Sequence, residues 1–261
     1  VFAYYYLWMT GWYWSEHKLD HPVEPFPGNY RSDNPAVIGW QVRQARAAGL
    51  TGFIVSWKDT PAYRRILPLV ERGARKGGLK LALEYEGLNA ARQPLPVAKV
   101  AADFRFFTST YAPNPVWYRI DGKPRRRVQA ARCLHRRGRL LLVLGLPGTG
   151  PLLRQQARGH GCGGSPGSQD LDRAVRARRQ RHPHRRRPGR PPPRWRHLRV
   201  EYATAARSAP DILGLISWNE WTENTYVEPS VKFGFTYLKK LRTLIRPGTS
   251  HDRGWLYAPH A

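Results

Sequence analysis

The chain has 261 residues, enough for one large α/β domain or two small ones. Its formal charge is +26, and its two cysteines, Cys133 and Cys162, give neither a disulfide framework nor a metal-ligand spacing. No apolar run reaches the roughly 18 residues of a membrane helix, and no stretch reads as a signal peptide.

The chain opens on an apolar strand without an initiator Met, and reads as a fragment or processed form. VFAYYYLW (1–8) is aromatic and β-branched, which predicts a buried strand. A long aromatic-polar loop follows, in which Trp12, Trp14, His17 and His21 either line a ring-shaped ligand or cap the end of the domain. Asn34-Pro35 sets a helix start, an N-cap before Pro at the first helical position. Ile38, Val42 and Ala45 then recur at helical spacing as far as Gly49. TGFIVSW (51–57) predicts the second strand, and Thr60-Pro61 the next helix, with Ile66, Val70 and Ala74 as its apolar stripe. LKLALEYEG (79–87) predicts a third strand, and 96–111 a helix with Val100, Phe104 and Phe107 on one side. PVWYRIDGKP (115–124) reads as the start of a fourth strand and a turn. Strand–helix alternation of this kind implies a parallel sheet with right-handed crossovers. The pattern resumes with a helix over 198–207, a strand over 213–218 and a helix over 232–246 that places Phe235, Leu238, Leu241 and Ile245 inside.

Residues 125–199 break the pattern. They contain 21 Arg, no Lys and two acidic residues, and so hold +19 of the net +26; they contain no Phe, Tyr, Ile or Met. A segment so poor in apolar side chains buries too little surface to offset its ordering entropy, which predicts disorder or irregular structure over about 125–197. Only LLLVLGL (140–146) has the composition of a strand. Three origins are open: an inserted nucleic-acid-binding arm, a solvated linker, or a stretch translated in the wrong reading frame. The composition favours the third, because GC-rich codons yield Arg, Pro, Gly and Ala in any frame. Specific nucleic-acid binding is therefore not expected.

The chemistry gathers at LGLISWNEWTENTYVEPS (213–230). A buried strand runs into Asn219, Glu220, Glu223 and Glu228, with Trp218 and Trp221 on either side of Glu220. In an α/β barrel, the loops that follow the strands form the catalytic face. Cleaving a glycosidic bond needs a proton donor and a second carboxylate, roles open to Glu220 and Glu223. The two Trp would exclude water and drive the two pKa values apart, while Asn219 could bind a sugar hydroxyl. Tyr5, Tyr6 and Trp8 close the first strand, Trp57, Lys58 and Asp59 the second, and Glu84 and Glu86 the third, with Glu86 favoured as the one reaching a ligand. No metal or other cofactor is expected, since His17 and His21 are too isolated to act as ligands.

At these residues the chain resembles the glycoside hydrolase family 99-like proteins, which include endo-α-mannosidases and endo-mannanases on a (β/α)8 barrel. The resemblance runs through AYYYLW, GFIVSWKD, KLALEYEGL and, most specifically, ISWNEWTENTYVEPS followed by FGFTYL, over about residues 1–124 and 198–246. It implies that Glu220 assists attack of the substrate's own 2-hydroxyl, that Glu223 is the general acid/base, that Glu86 contacts the sugar and that the anomeric configuration is retained. Family enzymes carry His-Glu-Gly where this chain has Thr222-Glu223-Asn224. A related branch with the same last-strand motif accompanies polysaccharide biosynthesis and is transferase-like.

The sequence therefore predicts an incomplete (β/α)8 TIM-type barrel in three parts: strands one to four in 1–124, the foreign segment 125–197, and the last strand and helix in 198–261. The expected substrate is an α-linked, mannose-containing glycan or polysaccharide. The expected contacts are Tyr5, Tyr6, Trp8, Trp57, Lys58, Asp59, Glu86, Trp218, Asn219, Trp221 and Tyr226. Because strands five to seven are not recognisable, this chain is expected to show little or no turnover. The residues leave the compartment open between secretion and the cell envelope, and leave the oligomeric state open.

Overall fold

The computed structural model describes residues 1–16, 20–22, 29–120, 123–124, 126–129, 142–145, 194–207, 210 and 212–246. All belong to one compact unit drawn from Val1–Gly148 and Arg194–Ala261. Its strands are β1 (Phe2–Tyr5), β2 (Gly52–Trp57), β3 (Lys80–Glu86), β4 (Arg119–Ile120), β5 (Lys123–Pro124), β6 (Arg126–Gln129), β7 (Leu142–Gly145) and β8 (Leu213–Ile216). Its helices are α1 (Gly11–Glu16), α2 (Pro35–Ala47), α3 (Pro61–Lys76), α4 (Val97–Thr110), α5 (Arg194–Ala206) and α6 (Thr236–Ile245).

Six strands form one sheet in the order β6-β3-β2-β1-β8-β7, and every pair in it is parallel. The first strand therefore lies between the second and the last, as in a barrel wall. Among the described residues, helices cover one face only. Ala3, Tyr5, Phe53, Val55, Trp57, Leu81, Leu83, Tyr85 and Leu215 turn into a core shared with Ile38 and Val42 of α2, Leu67 and Val70 of α3, Phe107 of α4, Leu198 of α5 and Leu238 and Leu241 of α6. The opposite face carries a smaller cluster of Phe2, Tyr4, Ile54 and Ala82, with Tyr6 and Ile216 partly buried beside it. The alternation of strand side chains produces this division. No strand pair that closes the sheet into a ring is found among the described residues.

The helix signals act as their chemistry dictates. Asn34 accepts a hydrogen bond from the Ala36 N–H at 2.9 Å and Thr60 one from the Tyr63 N–H at 3.2 Å, each ahead of a Pro. Gly49, at φ +90°, turns the chain out of α2.

Four expectations change. The first strand stops at Tyr5 because the Asn219 side chain takes over the backbone of the next residue. The aromatic loop contains a short helix, α1, whose Tyr13 and Trp14 are buried. In 115–124, only a bridge from Trp117 to Leu81 touches the main sheet, and β4 and β5 fold into an antiparallel pair. Lastly, β6 lies inside the segment predicted to be irregular and hydrogen-bonds to β3, whereas β7 falls within LLLVLGL, the one stretch there with the composition of a strand, and hydrogen-bonds to β8. Backbone groups can satisfy an open strand edge whatever side chains they carry, so composition alone missed β6.

Gly52 begins β2 where a Cβ would lie 2.0 Å from the Lys80 carbonyl oxygen and 2.6 Å from Phe2 Cε1. Gly52→Ala is expected to push β2 away from β1 and β3 and to lower stability by about 3 kcal/mol. A clear fall in the urea midpoint with retained far-UV circular dichroism would show it; an unchanged midpoint would contradict this packing.

Candidate active site

The site grows from the junction of β8 and β1. The Trp218 N–H donates to the Tyr4 carbonyl at 2.7 Å. Asn219 then accepts from the Tyr6 N–H through Oδ1 at 2.9 Å and donates from Nδ2 to the Tyr6 carbonyl at 3.0 Å. The carboxamide reproduces what the next residue of a neighbouring strand would offer, so the chain after β1 is held without a ladder. Beyond it the loop closes on itself: Ser217 N–H donates to Thr225 O at 2.8 Å, Val227 N–H to Ser217 O at 3.0 Å and Glu228 N–H to Trp218 O at 3.0 Å.

Glu220 is placed by this loop and is 4% exposed. Its backbone N–H donates to Ser217 Oγ at 2.7 Å. Its Oε1 accepts from the Tyr13 hydroxyl at 3.2 Å and from Thr222 Oγ1. Tyr13 Oη in turn accepts from the Thr222 N–H at 3.1 Å. Burial pushes the Glu220 carboxyl up to about 7; the Thr222 hydrogen bond opposes this, the Glu223 charge adds to it and the Tyr13 hydrogen bond opposes it. Glu223, three residues on, is exposed.

Strand alternation brings further groups to the face that carries Tyr4. Ser56 Oγ donates to Glu86 Oε1, and Lys58 Nζ lies 3.6 Å from Glu86 Oε2. Glu84, two residues earlier on the same side, is buried. The Tyr6 hydroxyl is held well above its ordinary pKa by burial and then by the charges of Glu84, Glu220 and Glu223. The Tyr63 hydroxyl is raised by burial and then by Glu86 and Glu220. The charges of Glu84 and Glu220 thus act on Tyr6, and those of Glu86 and Glu220 on Tyr63. Tyr6 and Trp8, both half-buried, stack at 4.3 Å.

The remaining candidates lie elsewhere. Tyr5, Trp57 and Trp218 face the helices: Tyr5 and Trp218 pack on Phe53, and Trp57 on Phe107 and Tyr85. Asp59 is clamped by both arms of Arg64 at 2.6 Å, which holds its carboxyl below the ordinary range. Trp221 and Tyr226 stack at 4.1 Å within a buried cap that includes Met9, Trp14 and Tyr30, and the Tyr226 hydroxyl donates to Asp20 Oδ2 at 2.6 Å. Trp14 is part of that cap, Trp12 is largely exposed, and His17 lies outside the described residues. No cluster of metal-ligating side chains and no helix long and apolar enough to cross a membrane occurs among the described residues.

Several residues of the site were not singled out from the sequence: Tyr13, Tyr63, Ser56, Ser217, Tyr30 and Gln41; Thr222 and Glu228 were read within the last-strand motif but given no role. Gln41 alone had a readable signal, a polar residue in the apolar stripe of Ile38, Val42 and Ala45. Glu228 is buried and accepts from the Tyr30 hydroxyl at 2.8 Å and from Gln41 Nε2 at 2.7 Å. Burial raises it to about 7, against hydrogen bonds led by those from Gln41 and Tyr30.

With this geometry in view, solved structures supply a comparison. The GH99 endo-α-mannosidase of Bacteroides thetaiotaomicron, in complex with Bis-Tris-propane, superposes with a TM-score of 0.61 at 18% identity, over 94% of this chain and 95% of that one. The two share a fold. A second structure of that enzyme gives 0.57 at 18% identity, over 94% and 96% of the two chains. A glycoside hydrolase-like protein gives 0.56 at 16% identity, over 93% and 92%. A family model described as Glycosyltransferase WbsX matches residues 178–241, starting inside the Arg-rich segment and ending within α6. No curated protein matches the chain. The likeness to the family 99 enzymes agrees with the resemblance carried by the strand-end motifs.

The two raised carboxyls set a pH dependence. Their folded pKa values, about 7, lie above the ordinary 4.5, so between these limits the folded state binds more protons than the unfolded one. Stability from this source is fully present below pH 4.5 and is lost as pH rises through 7, by at most about 3 kcal/mol per group. Urea midpoints should therefore fall between pH 5 and pH 8. Glu220→Gln keeps an acceptor at Oε1 for Tyr13 and Thr222 and should flatten that fall; an equally steep fall in the variant would contradict the burial of a titrating Glu220.

Proposed function

We propose that the protein acts on glycans as a glycoside hydrolase of the family 99 type, its six parallel strands forming part of a (β/α)8 barrel. The observation that carries the reading is Glu220, a buried carboxyl just beyond the last strand, hydrogen-bonded to the Tyr13 phenol, within electrostatic reach of Tyr6 and Tyr63 and neighboured by Glu223. The substrate class is an α-linked, mannose-containing glycan, by analogy with the structurally similar endo-α-mannosidase.

In this reading Glu220 removes the proton of the sugar 2-hydroxyl as that oxygen attacks the anomeric carbon. Glu223 protonates the departing glycosidic oxygen, so the C1–oxygen bond breaks as a 1,2-anhydro sugar forms. Glu223 then takes a proton from water, which adds at C1, and Glu220 returns its proton to O2. Two displacements give net retention. Glu223 can exchange protons with solvent because it is exposed, whereas Glu220 is shielded. Glu86, held between Ser56 and Lys58, is a sugar contact, with Tyr6 and Trp8 as the stacking surface.

Turnover by this chain is slight in our reading, because residues 125–197 lack recognisable barrel sequence and are best explained as a stretch translated out of frame. Translating the encoding DNA in its other two frames decides that origin. The WbsX match supports a second reading, transfer of a sugar during polysaccharide synthesis; consumption of a nucleotide sugar would favour it.

The main test uses α-mannooligosaccharides with wild type and Glu220→Gln. Binding by both, with turnover near background, is expected. Turnover that rises with pH through about 7 and vanishes in Glu220→Gln would uphold the chemistry and overturn the claim of low activity. Absence of binding would overturn the carbohydrate reading.

A further inference from the structure

Behind the candidate active site lies a second buried carboxyl that the chemistry above does not use. Glu228 is 1% exposed, and its side chain meets Tyr5 from β1 through Gln41 of α2, Tyr30 from the segment before α2, and Trp218 and Trp221 of its own loop. No cation is paired with it among the described residues. The hydrogen bonds around it run in one direction. The Tyr5 hydroxyl donates to Gln41 Oε1 at 2.5 Å, and Gln41 Nε2 donates to Glu228 Oε1 at 2.7 Å. Asn219 Nδ2 and Trp221 Nε1 approach Tyr30 Oη at 3.4 and 3.3 Å, and the Tyr30 hydroxyl donates to Glu228 Oε2 at 2.8 Å.

We propose that Glu228 is a positioning residue: in its carboxylate form it is the common acceptor of two donor chains, and it orients the residues on either side of Glu220, Asn219 through Tyr30 and Trp221 both directly and through Tyr30. The proposal rests on the reading of Glu220 as part of the active site. Two donor chains converging on one group require that group to be an acceptor on both oxygens, which a carboxylate is and an amide is not. With Gln at 228, one arrangement turns its NH2 toward Tyr30, whose oxygen already faces two donors. The other turns it toward the Gln41 NH2, forcing Gln41 to flip and leaving the buried Tyr5 hydroxyl without an acceptor. Either arrangement leaves a buried donor unpaired. The cost falls on Asn219, which fastens Tyr6 to the site loop, and on Trp221.

The same logic supplies a rescue. Exchanging the two side chains, Gln41→Glu with Glu228→Gln, lets the Tyr5 hydroxyl and the Gln NH2 both donate to the new carboxylate, and lets the Gln carbonyl accept from Tyr30. Every donor is again paired, with the carboxylate one step further from the site.

The test follows the side-chain N–H resonances of Asn219 and Trp221 by NMR, together with affinity for an α-mannooligosaccharide. Trp117 is an internal control, because its indole donates to Glu71 Oε1 at 2.7 Å and lies outside the aromatic cap that holds Tyr30 and Trp221. Glu228→Gln is expected to shift the Asn219 and Trp221 resonances, leave Trp117 in place and weaken sugar binding by about tenfold or more, the effect of one unpaired buried donor. The exchanged pair is expected to restore both resonances and binding. Unmoved resonances in Glu228→Gln, or an exchanged pair no closer to wild type than the single variant, would overturn the proposal. Should Glu228→Gln fail to fold, the exchanged pair decides: a folded protein upholds the proposal and an unfolded one overturns it. Wild type that binds no sugar while the resonances behave as expected would overturn the glycan reading and leave Glu228 in its role.

Discussion

One side-chain amide holds the site to the fold. Asn219 pairs with both backbone groups of Tyr6 just where β1 stops, and so joins the end of the first strand to the loop that follows the last. Glu220 and Trp221 are the next two residues, and their positions follow from that pairing. The loop has little freedom left, because Ser217, Trp218, Thr225, Val227 and Glu228 also close it through backbone hydrogen bonds. A closed loop anchored at a strand junction gives a carboxyl a fixed address, which catalysis by proton transfer requires.

The address is also dry, and this shapes the electrostatics. Glu220 and Glu228 lie on one loop, both nearly inaccessible and both raised to about 7 by loss of solvent. Their neighbours are hydroxyls, amides and indoles rather than cations. Hydrogen-bond donors moderate the rise without abolishing it, which leaves the carboxyls able to change protonation near neutral pH. By contrast, Asp59 meets Arg64 and Asp103 meets Lys99, and those pairs secure the surface of α3 and α4. What faces each carboxyl thus distinguishes those held in ion pairs from Glu220 and Glu228, whose hydrogen-bond partners are neutral.

The likeness to the family 99 enzymes at 18% identity is understandable on these terms. A parallel sheet with helices on one face asks for alternating apolar side chains and capped helices, which many sequences provide. The strand-end motifs ask for particular residues, and these are the stretches in which the resemblance is visible.

The sequence by itself determined the parts whose physics is local. Asn34-Pro35 and Thr60-Pro61 start helices because a side-chain acceptor and a fixed φ act within one turn. The apolar runs at 52–57 and 80–86 become parallel strands because both of their faces are covered. The NEW motif after the last strand marked Asn219, Glu220 and Trp221 because polar groups behind a buried strand have nowhere to lie but its mouth. Tertiary structure decided what depends on a partner distant in sequence. Whether Tyr5 or Tyr6 faces the site was settled by register, which puts neighbours on opposite faces, and Trp57 went to the helix side by the same rule. Tyr13, Tyr30 and Gln41 meet Glu220 and Glu228 across some 190 to 210 residues of chain, a distance over which no spacing in the sequence carries a signal. β6, among the arginines, owes its place to the open edge of β3, since backbone hydrogen bonding is indifferent to side-chain composition.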